Sequence, residues 1–346
     1  MAKVGIIGAT GYTGIELLRL LKFHPRATVT RITSTSQQGE DISKVHPQFQ
    51  KIYDLELEEL DIDSIAGEVD IIFCALPHGL ALEKVPEILQ KGKRVIDLSA
   101  DFRLKDPGDY SLWYDFKHPH EEYLQESIYG LPEFYRENIK GARLVANPGC
   151  YPTSILLALK PLIEENLIDT TSIIVDSKSG VSGAGRAARM PFHFTECTEN
   201  FKAYRVAGHQ HTAEIEQELK NLAGEDVVIT FTPHLVPMIR GILSTLYANI
   251  KEGVGEKQVK EAFYNAYKKE TFIRLIEDPN LPETKFVYGT NFCDIGFRVD
   301  RRTGRVVIIS AIDNLVKGAA GQAVQNMNVL FDWPEKTGIN QPVVYP

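Results

Sequence analysis

Paired cysteines are missing from this chain. Its four cysteines, Cys74, Cys150, Cys197 and Cys293, stand far apart and none forms a CxxC. That spacing indicates neither a zinc ribbon nor a disulfide framework, so a reducing compartment is expected. No apolar run approaches the length that crosses a bilayer. The chain opens directly into Lys3-Val4-Gly5-Ile6-Ile7-Gly8, without a charged leader and a long apolar stretch. A cytoplasmic protein with no membrane partner is expected. Positive charge is also short, with 38 Lys and Arg against 46 Asp and Glu and a formal net charge of -8. That balance argues against non-specific nucleic-acid binding, because phosphate backbones recruit basic surfaces. Any anionic ligand must therefore be met by local positive groups. Metal-ligand patterns are thin as well. Gly208-His209-Gln210-His211-Thr212-Ala213-Glu214 places an acid after an HxH, but no third ligand pattern and no H-E-x-x-H accompany it, so no metal is expected.

What is present is enough apolar material for two domains: 346 residues, 43% hydrophobic. Val4-Gly5-Ile6-Ile7 reads as a buried parallel strand, and Gly8-Ala9-Thr10-Gly11-Tyr12-Thr13-Gly14 follows it at once. Leu17, Leu18, Leu20 and Leu21 then give a helix its core face, and residues 27–32 supply a second strand. In such a βαβ unit, glycines let the backbone approach a pyrophosphate whose charge is met by helix N-terminal N–H groups. Gly8, Thr10, Gly11, Tyr12, Thr13 and Gly14 are thus candidate cofactor contacts. The spacing is GxxGxxG rather than GxGxxG, and the plainer alternative is an ordinary strand-to-helix turn. A carboxylate at the end of the second strand would bind the ribose hydroxyls of NAD, yet Thr33-Ser34-Thr35-Ser36-Gln37-Gln38-Gly39 holds none before Glu40. Ser34, Ser36 and Arg31 nearby tolerate a 2′-phosphate, so NADP is expected. Two more α/β repeats follow, with strands at 69–75 and 94–98 and a helix over 80–91. The turn holding Pro77 should face the cofactor. Arg103 either forks onto a phosphate or carboxylate or pairs with Asp101 or Asp106 on a solvated loop.

Cys150 carries the chemistry. It lies in Asn147-Pro148-Gly149-Cys150-Tyr151-Pro152-Thr153, between a strand-like stretch at 143–146 and an apolar helical run from Thr153. A thiol at a helix N-terminus loses its proton more easily, because free N–H groups and the dipole favour the anion. An isolated cysteine is more often a buried structural thiol. The strand–turn–Cys–helix setting favours the nucleophile instead.

Beyond that helix the periodicity changes. Stretches 171–178, 227–232, 241–250, 293–299 and 306–312 read as strands, and 299–306 as a tight hairpin. With helices at 212–223 and 256–268, an α+β domain with a mixed, largely antiparallel sheet is expected. The glycine-rich loop Lys178-Ser179-Gly180-Val181-Ser182-Gly183-Ala184-Gly185-Arg186 either offers N–H groups to an anion or is a surface turn. One of His209 and His211 suits acid–base work, because imidazole titrates near neutrality, against a structural or capping role. His209 is preferred, as it follows Gly208 and lies further from the helix. Asn314 opens a small-residue run whose helix should return to the dinucleotide domain.

Together the glycine turn, the segments 147–153 and 178–186, Gly208-His209-Gln210-His211-Thr212-Ala213-Glu214-Ile215 and residues 313–323 resemble the N-acetyl-gamma-glutamyl-phosphate reductase family, within the aspartate-semialdehyde dehydrogenase-like group. The resemblance spans nearly the whole chain. The expected fold is α/β, with a Rossmann-type domain over residues 1–149, completed by a C-terminal helix over 314–346, and an α+β catalytic and dimerisation domain over 150–313. The resemblance implies NADPH-dependent reduction of an acyl phosphate to an aldehyde in arginine biosynthesis, by a homodimer or homotetramer. It makes Cys150 the nucleophile and His209 or His211 the acid–base group, and it lines the cofactor with Gly11, Thr13, Ser182, Gly183 and Asn314. Arg103, Asn147, Glu214 and Arg240 are the candidate substrate contacts. Reductases of aspartyl phosphate or of carrier-linked acyl phosphates share this chemistry, although an acidic chain is poorly suited to docking an acidic carrier. A non-catalytic NADP sensor is the alternative of another class, and Cys150 with the histidine pair disfavours it.

Overall fold

In the computed structural model, which describes residues 1–343 and Tyr345, the chain divides into two compact units. The first holds Met1–Pro148 and Ala319–Gln341, and Gly149–Gly318 forms the body of the second. Among the described residues no helix is long and apolar enough to cross a membrane.

The first unit is built on a seven-stranded sheet: β1 (Ala2–Ile7), β2 (Ala27–Thr33), β3 (Leu57–Glu58), β4 (Ile71–Cys74), β5 (Arg94–Asp97), β6 (Ile128–Tyr129) and β7 (Leu144–Ala146). Its order is β3-β2-β1-β4-β5-β7-β6 and every pairing is parallel. Parallel neighbours need crossovers, supplied here by helices such as Tyr12–Leu21, Ile62–Glu68 and Ala81–Gln90. Covered strands become continuously apolar, which is why Ile71–Cys74 and Leu144–Ala146 are buried at every position. Strand order reverses at β1, between β2 and β4, and the carboxyl ends of strands at such a switch point are where α/β sheets bind ligands. Gly8–Gly14 begins there.

The return of the chain differs from the expected single helix. Asn314 belongs to the second unit. The segment winds first as a π-helix over Val316–Ala320 and becomes α-helical only over Gly321–Leu330. Asp313 explains the wide start: its Oδ1 accepts the Leu315 and Val316 N–H groups at 2.8 and 3.2 Å, and its carbonyl accepts Gly318 N–H at 3.0 Å. The α-helical part, buried along its whole length, packs within the first unit against helices Tyr12–Leu21 and Pro132–Ile139.

The second unit carries the mixed sheet: β8 (Ile174–Gly180), β9 (Lys202–Ala203), β10 (Thr230–Val236), β11 (Ile242–Asn249), β12 (Ile273–Leu275), β13 (Cys293–Asp300) and β14 (Arg305–Ile312). The order is β12-β13-β14-β11-β8-β10-β9, with β12·β13 and β8·β10 parallel and the other pairings antiparallel. Burial alternates strictly along β11, so one face packs on the core and the other is only partly covered. Helix Cys150–Glu164 lies on β11 and β14 and is flanked by helices His211–Ala223 and Glu256–Tyr267. Four fully buried serines fasten it. Ser154 Oγ lies 3.0 Å from both Ser244 Oγ and Ser310 Oγ, and Ser177 Oγ lies 2.7 Å from Ser244 Oγ. Buried hydroxyls need partners, and these supply one another.

Candidate active site

Cys150 is the first residue of the 15-residue helix ending at Glu164. Gly149 precedes it in extended conformation, with φ -67° and ψ 156°, and caps the helix without a side chain. Its carbonyl accepts both Thr153 N–H at 3.0 Å and Thr153 Oγ1 at 2.9 Å, and its own N–H donates to Glu214 Oε1 at 2.8 Å. The helix's own first turn contains no acid, and the carboxylate at its start is that of Glu214, on the Gly149 N–H. Cys150 itself is half-buried. On its other side the π-helix comes so close that a Cβ on Gly318 would lie 2.8 Å from the Cys150 Cβ. The small residues after Asn314 do permit close approach, but at Gly318 the neighbour is the thiol-bearing residue.

The histidines stand beside the next residue, Tyr151. Its ring centroid is 5.6 Å from that of His209 and 5.9 Å from that of His211. His209 is buried among Tyr151, Tyr204, Phe231 and His211. Its Nδ1 accepts the His211 backbone N–H at 3.1 Å, so the neutral ring carries its proton on Nε2. Burial, with the Arg205 guanidinium adding to it, pushes the His209 pKa down to about 3. The ring is therefore a neutral Nε2–H donor at neutral pH. Tyr204, whose pKa burial pushes up to about 12, donates to Tyr151 Oη at 3.1 Å, and Tyr151 donates to the His234 carbonyl at 3.4 Å. Tyr204 was not singled out by sequence, since an exposed-looking loop gives no sign that it closes over His209.

The glycine-rich loop and Asn314 also meet within this unit. Asn314 Nδ2 donates to Ser182 Oγ at 2.9 Å and its Oδ1 accepts Gly241 N–H at 2.7 Å. Gly183 is so near that a Cβ there would lie 3.7 Å from Asn314 Nδ2. Arg240 is partly exposed, 3.5 Å from Asp313 Oδ2, with its guanidinium 5.8 Å from the Tyr288 ring centroid. Glu214 is fully buried.

In the first unit, Gly11 caps helix Tyr12–Leu21 without a side-chain acceptor, and the first turn has no acid. A side chain at Gly8 would meet Ala75 O at 2.4 Å, and one at Gly14 would meet Gly8 O at 2.5 Å. That bare, tightly wound helix start fits a pyrophosphate. Thr10 Oγ1 lies 3.2 Å from Ser34 Oγ, which joins the turn to the end of β2, and Ser36 is exposed beside it. Arg31 is occupied elsewhere: its Nε donates to Glu58 Oε1 at 2.7 Å and its Nη1 lies 3.0 Å from Glu68 Oε1. Arg103 is buried rather than solvated, with Nε donating to the Asn147 carbonyl at 2.7 Å and Nη2 to the Leu98 carbonyl at 3.1 Å. The Asn147 side chain is held by Ala319 O and Asn326 Nδ2 at 3.2 and 3.0 Å. Beyond Pro77 the turn is gripped by Asp101, which accepts Gly79 and Ala81 N–H groups at 2.9 and 3.2 Å.

A dinucleotide-type sheet in one unit, and in the other a helix-borne cysteine above a mixed sheet, define a dehydrogenase of the semialdehyde type. Family models agree: the semialdehyde dehydrogenase NAD-binding domain matches residues 3–142, and the semialdehyde dehydrogenase dimerisation domain matches residues 150–314. The N-acetyl-gamma-glutamyl-phosphate reductase of Pelotomaculum thermopropionicum is 55% identical over 344 residues, 99% of each chain. That of Acetivibrio thermocellus is 52% identical over 345 residues, 100% of each. The chain belongs to the N-acetyl-gamma-glutamyl-phosphate reductase family, a family of oxidoreductases. Among solved structures, aspartate semialdehyde dehydrogenase II of Vibrio cholerae superimposes with a TM-score of 0.73 at 20% identity, over 96% of this chain and 98% of that one. The Candida albicans aspartate semialdehyde dehydrogenase with NADP gives 0.69 at 15% identity, over 95% and 98%. These two likenesses concern the fold.

Proposed function

We propose that this protein reduces N-acetyl-gamma-glutamyl phosphate to N-acetylglutamate semialdehyde with release of phosphate, in arginine biosynthesis in the cytoplasm. The observation that carries the reading is Cys150 at the first position of a helix, in a chain 55% identical over 344 residues to a reductase of that name. The Cys150 sulfur attacks the acyl-phosphate carbonyl carbon, and the bond to the phosphate oxygen breaks, leaving an acyl thioester and free phosphate. NADPH, when bound, supplies the hydride that takes this thioester to the aldehyde level. As negative charge builds on the former carbonyl oxygen, a neutral imidazole N–H donates a hydrogen bond to it and keeps its proton, and the charge passes back to the sulfur as the carbon–sulfur bond breaks. His209 suits the donor role, because its Nδ1 is taken by the His211 N–H and its Nε2 carries the proton. His211 then orients substrate. Arg240, partly exposed in the same unit as Cys150, is our choice for the substrate carboxylate, ahead of Arg103, which is buried on backbone carbonyls.

NADPH is preferred because the end of β2 offers the hydroxyls of Ser34 and Ser36, with no acid until Glu40. Gly8, Thr10, Gly11, Tyr12, Thr13, Gly14 and Pro77 would hold it. The test is an assay of the purified chain with N-acetylglutamyl phosphate and aspartyl phosphate, each with NADPH and NADH. Turnover should be confined to the first substrate and fastest with NADPH. Equal or greater turnover of aspartyl phosphate overturns the substrate, and equal use of NADH overturns the cofactor preference.

A further inference from the structure

We infer that Glu214 is a positioning residue for the nucleophile, acting through the Gly149 amide, and not a substrate contact. The inference rests on the reading of Cys150 as nucleophile. Gly149 is the hinge on which the thiol hangs: its φ and ψ set where the first helical residue points. Both faces of that residue are tied. The carbonyl accepts two bonds from Thr153, at 3.0 and 2.9 Å, while the N–H is taken by Glu214 Oε1 at 2.8 Å. The second bond is charge-assisted and so stronger than an amide–amide bond. Glu214 sits in the first turn of helix His211–Ala223, where the positive end of that helix favours a carboxylate.

Burial separates the two roles. A carboxylate that met substrate would open to the substrate's space, whereas Glu214 has no exposed surface. Cys150 meanwhile has no slack on its far side, because the backbone of Gly318 already stands where any side chain would collide with it. The thiol is therefore fixed from two directions, by a glycine that leaves no room and by a carboxylate that holds the preceding amide. What this asks of residue 214 is an acceptor oxygen at a definite reach. Charge is secondary.

Glu214→Gln keeps the reach and loses the charge, and Glu214→Asp keeps the charge and loses one methylene of reach. Both are conservative enough to fold, which melting curves check. Measured on the whole enzyme, Glu214→Gln should keep kcat within about 5-fold of wild type, and Glu214→Asp should lose roughly 10- to 100-fold, as for a reacting atom displaced by about 1 Å. KM should stay unchanged in both. The rate of Cys150 alkylation by iodoacetamide, followed by peptide mass spectrometry as a function of pH, should rank the variants in the same order. That readout needs no substrate, so it stands even if the proposed acyl phosphate is wrong. Three results overturn the inference: Asp performing as well as Gln, KM rising while kcat holds, or both variants matching wild type in kcat and alkylation.

Discussion

At the scale of single residues the proposed mechanism turns on one sulfur and one imidazole. Cys150→Ser should abolish turnover and leave NADPH binding nearly intact, checked by fluorescence titration beside the activity assay. With wild type and hydride transfer blocked, an acyl adduct should appear on Cys150 by mass spectrometry. His209 makes a prediction about pH. Its folded pKa, about 3, lies below the ordinary 6.5, so the unfolded chain binds the proton more readily across that interval. The stability it contributes is complete above about pH 6.5 and is lost as pH falls toward 3. Melting temperature should drop between pH 7 and pH 5, and His209→Asn should make that drop shallower. The same variant should lose roughly two to four orders of magnitude in the chemical rate. An unchanged slope with pH would show that the ring is not held neutral, and a normal single-turnover rate would remove it from the chemistry.

At the scale of elements, much was legible because each signal had length. The first βαβ unit declared itself through Val4–Ile7, the glycines and the leucine face of the helix, β14 through its β-branched run from Val306 to Ile309, and β11 and β13 through apolar stretches ended by turn residues. Two-residue strands such as Ile128–Tyr129 and Lys202–Ala203 carry no periodicity to read. Nor do the short helices Pro107–Trp113 and Glu121–Glu126, whose existence depends on what they pack against. The π-helix at Val316–Ala320 escaped for another reason. Nothing in its sequence distinguishes α from π winding, whereas in the structure the Asp313 carboxylate and carbonyl take the N–H groups at its start. Buried partners were equally invisible: nothing in the spacing of Arg103 or Glu214 tells that each would be spent on backbone. Gly318→Ala tests the crowded contact. The methyl must displace Cys150 or the π-helix, at a cost of about 1–3 kcal/mol and with a fall in kcat, measured by urea unfolding and steady-state kinetics. Wild-type values in both would mean that the gap is wider than the structure shows.

At the scale of the whole molecule, the first unit matches an NAD-binding domain and the second a dimerisation domain, a division that composition alone does not reveal. The acidic total of -8 does not exclude a local anion site, since the start of helix Tyr12–Leu21, with no acid in its first turn, needs no lysine to suit one. The match of residues 150–314 to a dimerisation domain motivates one expectation about assembly. Light scattering on the purified protein should give a mass at least twice that of one chain, and a monomer at micromolar concentration would refute it.

The four buried serines beneath helix Cys150–Glu164 carry one more consequence. Apolar contacts are forgiving and would let a helix slide or roll on its sheet by a fraction of a turn with little penalty. Hydroxyls are not, for any shift of Ser154 strands partners on two different strands at once. The quartet therefore works as a detent, giving the helix that begins at Cys150 one seat among many that grease alone would allow. Ser244→Ala should cost about 1–3 kcal/mol in urea unfolding, out of proportion to one lost oxygen, because Ser177 loses its hydroxyl mate and Ser154 loses one of two. A neutral substitution would show that hydrocarbon packing already fixes the seat.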